Sequence, residues 1–139
     1  MARPYMGGTK PNVKSCNVAS STYNLIEGDS NKIIMVGADN ITINLPAPRA
    51  GYAFSFVMQA DGATADCKIA TPSGALRGHV YSSDLDSASD SATSAGSSVT
   101  IITLVYGKVK KGDQVEMVCD GTDYYFRGYV SDAGAITLS

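Results

Sequence analysis

The chain has 139 residues, 44% of them apolar and 17% charged, with a formal net charge of −2. That length suits one domain with its own core, the balance of charge supplies no field for nucleic acid or an anionic membrane, and no apolar run approaches the roughly 20 residues of a membrane-crossing helix. Cys16, Cys67 and Cys119 are odd in number and widely spaced, with no CxxC pair, which argues against a disulfide scaffold or a zinc site.

In chain order, residues 1–21 contain Arg3, Lys10 and Lys14 but no acid, together with Pro4, Pro11 and the pair Gly7-Gly8. No periodicity is visible, and the segment reads as an extended N-terminal arm ahead of a sandwich domain over 22–139. Arg3, Tyr5, Lys10 and Lys14 are then candidate contacts to a neighbouring subunit. Deleting residues 1–17 is expected to leave the melting temperature of the domain nearly unchanged. No apolar secretory segment follows Met1, so synthesis in a reducing cytoplasm is expected.

From residue 23 onward no window carries apolar residues at helical spacing with caps at its ends. Short β-rich runs occur instead at 23–27, 32–36, 40–45, 52–59, 66–70, 76–81, 99–106, 114–119, 123–130 and 135–138, separated by Gly, Pro, Asn and Asp. Such spacing indicates a sandwich or barrel. Ile41, Ile43 and Leu45 share one face of their run, which Pro46 ends because proline cannot donate to a ladder. Tyr52, Phe54, Phe56 and Met58 share one face and are core candidates. Residues 82–98 are small and polar, with Leu85 as the one large apolar side chain, and read as a long flexible loop.

The segment GDQVEMVCDGTDYYFRGYV is the clearest hairpin, with Asp120-Gly121 between two alternating runs. A two-residue turn would set Met117 opposite Tyr124 and Val115 opposite Phe126, all facing the core. Tyr125, Arg127 and Tyr129 would then point outward, a grouping typical of interface anchors.

Catalytic chemistry is not legible. His79 is the lone histidine and reads as structural. Asp84, Asp86 and Asp90 fail the calcium-loop pattern, since no Glu closes it. Lys108, Lys110 and Lys111 read as a solvated turn. No catalytic or metal-ligating residue is expected, and no cofactor.

The strings ITINLPAPRAGYAFSFVMQ and KKGDQVEMVCDGTDYYFRGYV carry a resemblance to the β-sandwich modules of tailed-bacteriophage virion proteins, above all small capsid decoration (cement) proteins. It extends roughly over residues 23–138. The resemblance implies an antiparallel jelly-roll-like sandwich that is not an enzyme. It implies binding to the outer surface of the phage capsid, where copies bridge neighbouring major capsid protein subunits and stabilise the DNA-filled head. Self-association as a homodimer or homotrimer on capsid symmetry axes would follow, with no nucleic-acid or membrane partner and the virion as location. The alternative is a fibre or head-spike module binding host-surface glycans. The family has no compact residue signature, so it assigns no contact residue.

Overall fold

The computed structural model describes residues 12–83, 93–94 and 99–139. Among the described residues twelve strands appear in chain order: β1 (Asn12–Cys16), β2 (Thr22–Asn24), β3 (Lys32–Val36), β4 (Thr42–Asn44), β5 (Ala53–Met58), β6 (Cys67–Ala70), β7 (Leu76–Ser82), β8 (Thr93–Ser94), β9 (Ile101–Leu104), β10 (Gln114–Cys119), β11 (Tyr124–Val130) and β12 (Ile136–Leu138). Glu27–Asp29 form one 3-10 turn. The strands make two sheets, in the orders β1-β3-β5-β10-β11-β7-β8 and β12-β9-β6-β4-β2. The protein is an all-β sandwich, as the spacing of its turn residues predicts.

The core lies between the sheets and follows the alternation of the strands. Phe54, Phe56 and Met58 from β5, Met117 and Cys119 from β10, and Tyr124 and Phe126 from β11 are buried from one side. Ile43, Ile69, Ile102 and Ile136 meet them from the other sheet. Phe54 packs against Phe56 and against Tyr124 with ring centroids 6.4 Å apart in each case. The Tyr124 hydroxyl donates to the Pro46 carbonyl (2.8 Å), so the polar end of this buried ring is satisfied.

The connectivity departs from the antiparallel jelly-roll expectation. Five of the ten strand pairings among the described residues are parallel. From β1 to β6 the chain crosses between the sheets at every step, so β1, β3 and β5 lie parallel in one sheet and β2, β4 and β6 parallel in the other. The first turn of this winding is 20 residues long: Asn12 lies beside Lys32 and Thr22 beside Thr42. Equivalent positions stack. Ser20 and Asn40 both adopt left-handed backbone, with φ of 59° and 56°. Asn40 Nδ2 donates to Ser20 Oγ (3.1 Å), and Asn44 Nδ2 donates to Asn24 Oδ1 (2.8 Å). A hairpin signal reports only on adjacent strands. A parallel partner is set by where the chain re-enters the sheet, which no local pattern encodes.

The arm boundary at residue 21 is also corrected. Residues 12–16 pair along their whole length with β3, and Cys16 is completely buried. The strand was hidden because Lys14 and Cys16 take its inward positions while Val13 points outward, against an amphipathic pattern. Lys14 is tolerated there because its ammonium donates to the carboxylate of Asp29 (2.9 Å). Asp29 is only 2% exposed and is also held by Lys32 (3.0 Å) and the Ile26 N–H (3.1 Å). In the 82–98 segment, Ser82 closes β7, the Ser83 N–H donates to the Val130 carbonyl (2.9 Å) and residues 93–94 pair with β7; residues 84–92 and 95–98, with Asp84, Leu85, Asp86 and Asp90, lie outside the described residues.

This triad predicts acid lability. Burial raises the pKa of Asp29, but the hydrogen bonds from Lys14, the Ile26 N–H and Lys32 together outweigh it and hold the carboxyl below its ordinary value. A carboxylate whose folded pKa is depressed contributes stability above its unfolded pKa and loses it as pH falls through the folded value. Unfolding free energy is therefore expected to be flat in this contribution above about pH 5 and to fall below about pH 4. Urea titrations across that range, on wild type and Lys14→Met, check this: the variant should show a shallower acid slope.

The hairpin register differs by two residues from the two-residue turn. Cys119 pairs with Tyr124, Met117 with Phe126 and Glu116 with Arg127, leaving residues 120–123 as the loop. Asp120 accepts from the N–H groups of Thr122 (2.8 Å) and Asp123 (2.9 Å), which favours the longer loop. A two-residue shift preserves the face of every side chain, so the inward and outward assignments stand.

Candidate interface

The two outer faces of the sandwich differ in chemistry. On the five-stranded sheet, the outward positions across β2, β4, β6, β9 and β12 are mainly Thr22, Asn24, Thr42, Asn44, Lys68, Thr103 and Thr137, a polar surface. The seven-stranded sheet presents large side chains. Their cross-strand register arranges them in three rows.

The first row runs Tyr81, Tyr129, Gln114, Val57 and Met35 across β7, β11, β10, β5 and β3. The second runs His79, Arg127, Glu116, Ser55, Ile33 and Val13. The third runs Arg77, Tyr125, Val118 and Ala53. Val13, Tyr81, Val118, Tyr125 and Tyr129 are each at least 40% exposed. Strand parity places every one of these residues away from the core.

The aromatic half of the face is held in place from its rim. The Tyr81 and Tyr129 rings stack at 5.8 Å with a 21° interplanar angle. The Tyr125 hydroxyl donates to Asp120 (3.0 Å), and that hydrogen bond raises the phenol above its usual range. Arg77 Nε donates to Asp123 (2.5 Å), an acid that also accepts from the Ala75 N–H. Asp120 and Asp123 are both held below the ordinary carboxylate range, Asp120 by backbone N–H donors first and Asp123 by Arg77. Between the tyrosine rows lies a shallow depression of about 360 Å³ lined by Arg77, His79, Tyr81, Tyr125 and Arg127. A second of about 310 Å³ lies over β5 and β10 beside Glu116, Val118 and Arg127. Arg127 and Glu116 face each other in register but form no ion pair, with each other or elsewhere, among the described residues.

Of the candidates read from the sequence, Tyr125, Arg127 and Tyr129 come together here. Lys14 does not join them: its ammonium is turned inward onto Asp29. Arg3, Tyr5 and Lys10 lie outside the described residues. Val118 completes the face from the adjacent hairpin strand, while Tyr81 and His79 join it because β7 pairs with β11 in parallel 48 residues away in sequence, Arg127 beside His79. Outward parity at Tyr81 was the signal available.

The arrangement offers an exposed aromatic surface for recognition. Cys16, Cys67 and Cys119 are buried free thiols; burial pushes the Cys16 and Cys67 thiols up, leaving them protonated and weakly nucleophilic. Among the described residues no group of three or more His, Cys, Asp or Glu side chains converges on a metal-sized site, and no helix is long and apolar enough to cross a membrane. Compared with known proteins, the chain matches no family model, no curated protein and no solved structure.

Proposed function

We propose that this chain is a structural virion protein that binds the outside of a phage capsid and cements neighbouring major capsid protein subunits around packaged DNA. The observation that carries the reading is the contrast between the two sheets: one outer face is Thr- and Asn-rich, the other an open field of tyrosines, aliphatics and arginine. Aromatic residues and arginine concentrate at the energetic centres of protein interfaces. A module that acts through such a face works mechanically. It adds contacts across subunit junctions, and because it binds the assembled shell and not free subunits, mass action shifts the equilibrium toward the intact head.

Heads lacking the protein should assemble but release DNA at lower temperature, and adding purified protein should restore resistance at a fixed copy number per head. Tyr129→Ala with Arg127→Ala should weaken restoration by about tenfold or more, with unchanged melting of the free domain. Depleted heads as robust as complete ones would sink the cement reading. The second reading, a fibre or head-spike module for host glycans, is favoured by one observation, the stacked Tyr81–Tyr129 pair beside Arg127 and His79 over a shallow depression. Sugar rings stack on such platforms, and a glycan array with a Tyr129→Ala control tests it.

A further inference from the structure

We infer that a second copy of this chain covers the outer face of the seven-stranded sheet, related by a two-fold axis that runs along the strands between β10 and β11. The inference rests on the reading of that face as a protein interface and assigns it to contact between copies; in the dimer the shell is met through the surfaces that stay exposed.

Charge selects the occupant. Arg77 is already neutralised by Asp123, and the Tyr125 hydroxyl is taken by Asp120. The ionised groups left without a partner at the centre of the face are Arg127 and Glu116, of opposite sign, on adjacent strands, in direct register. An acidic partner would be opposed by Glu116 and a basic one by Arg127. A second copy satisfies both.

Geometry allows it. A two-fold axis lying in the interface plane, parallel to the strands and between β10 and β11, places β10 of one copy over β11 of the other at the same height. Glu116 of each copy then lies over Arg127 of the other, giving two equivalent ion pairs. The same operation sets Tyr125 over Val118 and Tyr129 over Gln114. One strand farther out, it carries β7 over β5, so Tyr81 meets Val57 and His79 meets Ser55. Tyr125 and Tyr81 thus oppose valines and His79 a serine around the central ion pairs, the kind of self-complementarity an isologous contact requires. The operation overlays four full strands, β5, β10, β11 and β7; about 4.8 Å apart and roughly 20 Å long, they give a planar footprint on the order of 400 Å². That is below the ~800 Å² per partner of a standard interface and suits a concentration-dependent dimer. Twisted sheets pack face to face at about 30°, so the outer rows diverge and the contact centres on β10 and β11.

The test uses charge reversal and mixing, read by sedimentation velocity over a micromolar concentration series. Wild type should sediment as a dimer. Arg127→Glu sets glutamates against one another across the axis, and Glu116→Arg sets arginines together, so each variant alone should dissociate at least about 100-fold more readily. An equimolar mixture should regain the dimer. In the heterodimer the introduced glutamate of one variant meets the introduced arginine of the other, while the native Glu116 meets the native Arg127 at the second central contact. Repair of a contact within one chain cannot produce that recovery. Circular dichroism and melting confirm that each variant is folded; should either reversal unfold, Val118→Lys, at an exposed position, replaces it as the disrupting variant and should also yield monomer. A monomeric wild type, variants that dimerise as wild type does, or a mixture that stays monomeric each overturns the inference. Dimers that fail to bind phage heads would remove the cement reading and leave this one standing; monomers that bind heads would do the reverse.

Discussion

Replacing Phe126 with alanine is expected to cost about 3–5 kcal/mol of unfolding free energy, the range for emptying a large aromatic site in a packed core. Phe126 is 3% exposed and sits in the middle of β11, with Met117 beside it on β10 and Gly78 beside it on β7. Its surroundings have little freedom to collapse into the space. The β7 neighbour is a glycine whose Cβ, if present, would overlap the Phe126 carbonyl, so the two backbones already lie in close approach. The adjacent residue provides the contrast: Tyr125 is 44% exposed on the opposite face, and Tyr125→Ala should change stability by about 1 kcal/mol or less. Denaturant unfolding of both variants measures the pair. A Phe126→Ala loss below about 1 kcal/mol, or a larger loss at Tyr125, would reverse the inward and outward assignment of β11.

Deleting residues 1–17 should lower stability by an amount on the order of 3 kcal/mol, in contrast to the small effect expected of a free arm. The deletion removes β1, exposes the edge of β3, takes Cys16 out of the core and strips Lys14 from the buried Asp29 carboxylate. Lys32 remains, so the charge is not left wholly uncompensated, which places the loss at the lower end for a broken buried pair. For a domain of this size the fall in melting temperature should be roughly 10 °C. A deletion of residues 1–11, which retains β1, is the control for length. If the longer deletion melts with wild type, β1 contributes nothing to the sandwich and residues 12–21 belong with an arm after all.

What the sequence by itself determined was parity. Alternation along 41–45, 52–59, 114–119 and 123–130 sorted inward from outward residues, and Ile41, Ile43, Phe54, Phe56, Met117, Tyr124 and Phe126 are all buried while Tyr125, Arg127 and Tyr129 are exposed. Side-chain direction in a strand has period two and needs no knowledge of the partner, so it survived even a two-residue error in the hairpin register. One long-range signal was also present and passed unread. Thr22-Tyr23-Asn24-Leu25 and Thr42-Ile43-Asn44-Leu45 share the same outline 20 residues apart, and the structure stacks them as successive turns of a winding with paired asparagines.

Only the tertiary structure decided partnership. Lys14 turns inward because Asp29 meets it, and Asp29 arrives there through the 3-10 turn at Glu27–Asp29; nothing in the sequence immediately around Lys14 announces an edge strand of the sandwich. The candidate interface has the same origin. Tyr125, Arg127 and Tyr129 could be placed outward from their own strand, but Arg77, His79 and Tyr81 join them through a parallel pairing, and Val118, Val57 and Ile33 extend the face through β10, β5 and β3. A surface is a product of neighbouring strands. Its chemistry depends on which strands lie side by side, and that choice is made by burial of the whole core and not by any one segment.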